Sequence, residues 1–205
     1  SIVVGGDRAD WEPLAGVARF QLEAATYGAA RWSGATDLSG EVWACWTDSV
    51  LNLFASVTDD AHVQTESGST AWKGDEVEIV FDGDLRGDFY TEVWNDDDAQ
   101  IGLSPGDFAD LPPSAVQYRP SARDAPEIDV AARRPIESGG NYALEAAIPW
   151  SVLGVAPEGG TSYGFCVALS DNDQVGAASQ DSMVSNCPNL LVSDPTTWAT
   201  ITLGE

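Results

Sequence analysis

Beyond residue 40 the chain is a succession of short apolar or alternating runs, each closed by glycine, proline, aspartate or asparagine. Val42-Trp43-Ala44-Cys45-Trp46 leads into a Thr47-Asp48-Ser49 turn and a return run over 51–57, the pattern of a hairpin. In the return run Leu51, Leu53, Ala55 and Val57 share one face. Glu76-Val77-Glu78-Ile79-Val80-Phe81 also alternates, with Val77, Ile79 and Phe81 on one face and Glu76, Glu78 and Val80 on the other, as a half-buried strand would. Further runs at 89–94, 99–103, 115–119, 127–132, 142–148, 163–170 and 198–203 bring the count to about ten strands. Residues 104–113 carry three prolines and read as a long loop. No segment sustains a helical period. The one short helix expected opens at Pro149-Trp150-Ser151, where proline suits a first helical position. This punctuation predicts an all-β fold, an antiparallel β-sandwich of jelly-roll-like type. With no linker and no internal repeat, residues 1–205 read as one domain.

Charge narrows the partners. Thirty-three acids face nine bases, for a net charge of −24, and Lys73 is the one lysine. Such a surface repels phosphate backbones and anionic bilayers, which excludes nucleic acid as a partner. No run approaches the roughly 20 apolar residues of a membrane span. The acids are left with two uses, holding cations and keeping the protein soluble in a secreted or cell-surface setting. Three cysteines, Cys45, Cys166 and Cys187, match no zinc spacing. Cys45 and Cys166 sit in strand runs and read as buried, inert thiols. A disulfide between Cys166 and Cys187 is possible, and the sequence leaves it open.

The acids concentrate where strands end. Asp59-Asp60 closes the hairpin strand, Asp75-Glu76 opens the next, Asn95-Asp96-Asp97-Asp98 follows Trp94, and Asp171-Asn172-Asp173 closes the strand bearing Cys166. Asp7 and Asp10 lie in the first turn of the chain. Calcium takes roughly six to eight oxygen ligands, and loops of this kind supply them. The spacing is not that of an EF-hand. Asp and Asn also favour turns for their own backbone bonding, so each cluster alone is equally a turn signal.

Taken in order, these stretches resemble the family 9 carbohydrate-binding modules and their relatives, the DOMON-like sandwich domains. The matching residues are Gly6-Asp7-Arg8-Ala9-Asp10-Trp11, the strand ending at Asp59-Asp60, and Trp72-Lys73-Gly74-Asp75-Glu76-Val77-Glu78. They continue with Asp96-Asp97-Asp98-Ala99-Gln100, Tyr142-Ala143-Leu144-Glu145-Ala146-Ala147-Ile148-Pro149-Trp150, Asp171-Asn172-Asp173 and Asp194-Pro195-Thr196-Thr197-Trp198. One departure stands at the start, where the family's Asp-Gly pair reads Gly5-Gly6. The resemblance implies a β-sandwich with structural calcium (Ca2+). By carry-over Asp59, Asp60 and Asp75 are ligands of one site, and Asp10, Asp171 and Asp173 of a second.

The resemblance also implies a sugar clamped between two indole faces, with acids and amides on its hydroxyls. Trp72 falls at the first indole position, Glu78 at the acid and Gln100 at the amide. Trp94, beside an acid cluster, is a further candidate. Two partners depart from the family pattern: its arginine is replaced by Gly102, and its second tryptophan falls near Leu191 or Val192. Trp11, Trp150 and Trp198 read as packing residues, and Trp32, in a polar run, is one further candidate for an exposed platform.

Catalysis finds no motif among nucleophile elbows or phosphate loops, so no enzyme is expected. Paired carboxylates roughly 5 to 10 Å apart would serve glycoside hydrolysis, but 33 acids permit too many pairs to single one out. His62 reads as a hydrated loop group. Sandwiches related to this family hold haem between a methionine and a histidine or lysine, and Met183, His62 and Lys73 supply those residue types as a remote alternative. The expected partner is a polysaccharide or other glycan, with attachment to a larger secreted protein. The competing reading is a calcium-stabilised adhesion, filament or surface-layer subunit that self-associates.

Overall fold

Every strand of the fold pairs antiparallel with its neighbour. The computed structural model describes residues 2–134 and 139–204. In chain order the strands are β1 (Ala18–Leu22), β2 (Ala24–Tyr27), β3 (Leu38–Trp46), β4 (Val50–Asp59), β5 (Glu76–Asp82), β6 (Asp98–Ser104), β7 (Ser114–Arg119), β8 (Arg123–Asp124), β9 (Asp129–Arg133), β10 (Tyr142–Pro149), β11 (Ser162–Asp171), β12 (Ser182–Ser185) and β13 (Thr200–Thr202). The first sheet runs β1-β3-β4-β10-β9. The second runs β2-β12-β11-β5-β6-β7-β8, with β13 paired to β11.

The sandwich follows from the alternation. Leu51, Leu53, Ala55 and Val57 of β4 meet Val77, Ile79 and Phe81 of β5 across a core that also takes Leu144, Ala146, Ile148, Phe165, Val167 and Leu169. Phe81 and Tyr163 approach with ring centroids 5.0 Å apart. The β5 strand is not half-buried as expected. All seven of its residues are buried, because a second apolar cluster of Val80, Cys166, Ala168, Met183, Cys187, Leu190 and Trp198 covers its outer face. The Cys166–Cys187 disulfide lies in that cover, so Cys166 is not the free thiol expected, while Cys45 is free.

The first sheet is also covered outside. Trp43 and Phe54 point away from the main core and pack on Trp11 of the N-terminal arm. The arm is fixed by Glu145 in β10, a fully buried carboxylate. It accepts hydrogen bonds from Trp11 Nε1 at 2.8 Å, Gly5 N at 2.9 Å and Gly6 N at 2.8 Å.

Among the described residues thirteen strands replace the ten expected. Nine of the ten apolar runs form strands, and β1, β2, β8 and β12 are additional. The run at 89–94 is not a strand. It follows a one-turn helix, α1 (Leu85–Asp88), and turns again as Thr91 N donates to Asp88 O at 2.6 Å. Phe89, Tyr90 and Val93 are exposed, having no sheet face to meet. The helix expected at Pro149 does not form either. Pro149 is still paired with Val50 in the sheet, Trp150 N donates to Ser49 O, and 150–154 form turns that end at Gly154 with φ +74°. Trp150, Val152 and Leu153 of those turns close the core from its end. Among the described residues no helix is long and apolar enough to cross a membrane.

Candidate functional site

Two features concentrate unusual chemistry: an acid cluster where β4, β5 and β11 meet, and a groove on the outer face of the second sheet.

Antiparallel pairing brings the end of β4, the start of β5 and the end of β11 to one edge of the sandwich. Carboxylate oxygens of Asp59, Asp171 and Asp173 lie within 4.8 Å of one another, as do those of Asp37, Asp60 and Asp173. Asp59, His62 and Asp75 form a third such group. Asp59, Asp60, Asp75, Asp171 and Asp173 are therefore brought together, in one cluster rather than two. Asp10 is not among them: it accepts from Val3 N at 3.3 Å on the N-terminal arm. Asp37, which carried no motif, joins the cluster.

Donors account for only part of these oxygens. Asp75 Oδ1 accepts from Asn172 N at 2.8 Å and its Oδ2 from Val63 N, so this carboxylate ties β5 to β11 and to the loop after β4. Asp59 Oδ1 accepts from Ala61 N at 2.7 Å, and Asp171 Oδ2 from Ser182 Oγ at 2.9 Å. Asp59 Oδ2, Asp171 Oδ1 and the Tyr142 hydroxyl are buried with no hydrogen-bond partner. Burial, then repulsion from Asp75, pushes Asp59 up to about 7. Burial pushes Asp171 to about 7 as well, with Asp173 and Asp59 adding repulsion. Asp173 rises to about 6 for the same reasons.

His62 is not hydrated, as the sequence suggested. Its side chain is 2% exposed, packed against Phe108 and Tyr142, with Nε2 2.8 Å from Gly106 O. Nδ1 lies 2.9 Å from Asp75 Oδ2, close but out of line for a hydrogen bond. Burial lowers its pKa, so the ring is held towards neutrality. A neutral ring does not balance the acids. Unpaired buried carboxylate oxygens with no cation beside them are what a hard, oxygen-seeking ion satisfies, so these residues fit calcium.

The groove lies where β5, β6, β7 and β12 expose their outer faces. Trp72, Glu78, Gln100, Tyr118, Gln180, Met183 and Val192 line a space of about 280 Å³. It shares Gln100, Gln180, Met183 and Val192 with a second space of about 320 Å³ lined also by Tyr27, Trp94, Arg119 and Leu191. Trp72, Glu78, Gln100 and Trp94 thus line one continuous surface, with Leu191 and Val192 where a second indole would stand. Trp72 is 37% exposed, Lys73 Nζ lies 5.5 Å from its ring, and its carbonyl accepts from Ser170 Oγ at 3.1 Å. Trp94 stacks edge-on against Trp198 at 5.0 Å, and the Arg119 guanidinium lies 5.6 Å from its ring. Trp32 is not a platform: its Nε1 donates to Leu38 O at 2.9 Å and it packs on the main core.

Beneath the groove Glu76 and Glu78 are fully buried neighbours on one face. Burial pushes Glu78 up to about 7, held back by a hydrogen bond from Gln100. Burial and the neighbouring Glu78 also raise Glu76, although the Tyr118 hydroxyl donates to both its oxygens at 3.1 and 3.0 Å. Tyr118 explains Gly102. A Cβ at residue 102 would sit 2.6 Å from the Tyr118 ring and 2.7 Å from Glu76 Oε2. The tyrosine occupies the space above Gly102, and Arg119 brings a cation to the groove from the neighbouring strand. Neither residue was legible as a site residue. His62 sits within the acid cluster and Met183 beneath the groove, so these two haem-type ligands serve different places.

A two-sheet sandwich with a tryptophan, acid and amide groove on an outer sheet face is the architecture of a binding module. The chain belongs to the family described as carbohydrate family 9 binding domain-like, whose model matches residues 17–205. Two solved family 9 modules from Caldicellulosiruptor kristjanssonii share its fold. One, in complex with cellotriose, has a TM-score of 0.72 at 19% identity over 100% of this chain and 90% of that one. The other, in complex with glucose, has a TM-score of 0.64 at 18% identity over 100% and 93%. A structure from Bacteroides uniformis matches at a TM-score of 0.67 and 11% identity, over 98% and 93%. No curated protein matches the chain.

Proposed function

We propose that this chain is a secreted, non-catalytic carbohydrate-binding module, braced by calcium at the Asp59–Asp171 cluster, with its sugar seat in the Trp72 groove. The observation that carries the reading is the convergence of Trp72, Glu78 and Gln100 on one groove. An indole face suits the C–H face of a pyranose. Gln100, Gln180 and the Arg119 guanidinium offer hydrogen bonds to hydroxyls. The solved relatives hold cellotriose and glucose, so the ligand class is a glucose-based glycan. With Val192 in place of a second indole, stacking comes from one side only and affinity is low. In the cluster, Asp59 Oδ2 and Asp171 Oδ1 would hold calcium together with Asp173, Asp60 and Asp37, while Asp75 and His62 brace the loops around it. The Cys166–Cys187 disulfide and the acidic surface support an extracellular setting.

The test is a panel of glucose, cellotriose and insoluble β-glucans, titrated in calcium. We expect weak but saturable binding that falls at least tenfold in Trp72→Ala. If nothing on the panel binds and the protein self-associates in calcium, the adhesion or surface-layer reading takes its place.

A further inference from the structure

Of the two acids beneath the groove, Glu78 is the one that lines its cavity, and one of its oxygens is unused. Glu78 is 3% exposed, and Glu76, two positions before it on the same face, is 0% exposed. Glu78 accepts a hydrogen bond from the Gln100 side chain, yet its Oε1 is buried with no partner. Its cross-strand neighbours are Gly102 on β6 and Ala168 on β11, and neither carries a polar side chain. The Tyr118 hydroxyl is already engaged by Glu76. A buried acceptor left without a donor is costly, and more so beside a second carboxylate.

Charge points the same way. No ion pair among the described residues reaches Glu76 or Glu78. Lys73 and Arg119, the cations beside the groove, lie over rings instead: Lys73 Nζ is 5.5 Å from the Trp72 ring, and the Arg119 guanidinium is 5.6 Å from the Trp94 ring. The polar groups that line the cavity with Glu78 are Gln100, Gln180 and Tyr118, all neutral. Burial raises Glu78 to about 7, and a cation arriving beside it would favour the ionised form.

We propose that the groove selects an amino sugar, a glucosamine-type pyranose whose free ammonium donates to Glu78. The proposal rests on the sugar-binding reading above and narrows its ligand class. An ammonium brings three donors and a positive charge, where a hydroxyl brings one donor and no charge. A hydrogen bond between two charged groups is roughly twice as strong as one between neutral groups. The exposed Trp72 face takes the ring, and Gln100 and Gln180 take its remaining hydroxyls. A lysine side chain carries the same ammonium but offers no ring to Trp72 and no hydroxyls to the two amides, so the groove fits a sugar better than a basic peptide.

Titration calorimetry at neutral pH compares glucose, glucosamine and N-acetylglucosamine and the β-1,4 trimer of each, with L-lysine as the control for attraction to the acidic surface. Glucosamine and its trimer are expected to bind about tenfold more tightly than their glucose counterparts. N-acetylglucosamine, whose amide is neutral, is expected to bind no more tightly than glucose. Glu78→Gln, with circular dichroism reporting the fold, is expected to abolish the preference, so that glucose and glucosamine bind alike. If that variant does not fold, carboxyl-carbon NMR of the wild type takes its place: glucosamine is expected to move one buried glutamate signal towards the ionised form, and glucose is not. Equal binding of glucose and glucosamine by the wild type overturns the amino sugar and leaves the sugar-binding module standing. A preference that survives in folded Glu78→Gln, or no glutamate signal that responds to glucosamine alone, overturns the role of Glu78. L-lysine binding as tightly as glucosamine overturns the sugar as carrier of the ammonium. Binding of none of the sugars overturns the sugar-binding reading itself, and this proposal with it.

Discussion

Glu145 and Asp171 are both buried carboxylates in strands of one sandwich, yet they are solved in opposite ways. Glu145 is met by three N–H groups of the N-terminal arm, so both its oxygens are hydrogen-bonded by the chain itself. Asp171 receives one hydroxyl on one oxygen, and its other oxygen is left facing Asp59 and Asp173. The first arrangement closes the fold from within. The second leaves an acceptor unsatisfied, and the calcium proposed above would satisfy it. A buried acid met by its own chain's donors needs no metal; a buried acid with an unsatisfied oxygen among other acids is where one is worth testing.

The largest effect is expected at the self-sufficient carboxylate. Glu145→Ala strands three donors, two of them buried, and frees the arm that carries Trp11, and should cost about 4 kcal/mol, or roughly 10 °C in Tm, whether or not calcium is present. Next comes the ion. Chelation of the wild-type protein should remove about 3 kcal/mol per tightly held calcium, and calorimetry with and without EDTA measures it. An unchanged Tm on chelation would erase the distinction between the two regions.

A pH series on chelated protein sharpens it further. Asp59, Asp171 and Glu78 have folded values near 7, above their ordinary values of 3.8 and 4.5. Between those limits the folded state binds more protons than the unfolded state, so stability falls as pH rises from about 4 to about 7. The loss should be on the order of 2 kcal/mol by chemical denaturation, and smaller in saturating calcium, which holds the carboxylates of the cluster ionised. The smallest effect is the most diagnostic. Asp171→Asn should stabilise the chelated protein by about 1 kcal/mol, by removing one of several crowded charges, and should destabilise the calcium-loaded one. The same substitution with the same sign in both conditions would count against the ion.

Which parts of this were legible follows from whether the chemistry is local. Alternation in β4 and β5 is a property of neighbouring residues, and the sandwich could be read from it. Acid clusters at strand ends are visible in the sequence, and the family resemblance singles out Asp59, Asp75 and Asp171 among them; antiparallel pairing is what brings these strand ends together. Asp10 read as an equal candidate, since nothing local says that its turn belongs to the arm. Glu145 gave no signal, because its donors are about 140 positions away in Gly5-Gly6 and Trp11. Tyr118 and Arg119 reach the groove from a strand two places from β5, and only the order β5-β6-β7 puts them there. The run at 89–94 misled because apolar residues in a surface excursion look like a strand until their exposure is known.

Tyr118 over Gly102 also constrains which substitutions the groove can accept. An arginine introduced at 102 would collide with the ring and with Glu76. A small residue introduced at 118 would strip Glu76 of its donor while residue 102 stayed bare. Either step alone disturbs the packing around Glu76, the first by a clash and the second by a lost donor. The two positions are therefore coupled: a bulkier residue at 102 is tolerated only together with a smaller one at 118, and the Arg119 guanidinium is the cation the groove keeps without changing either.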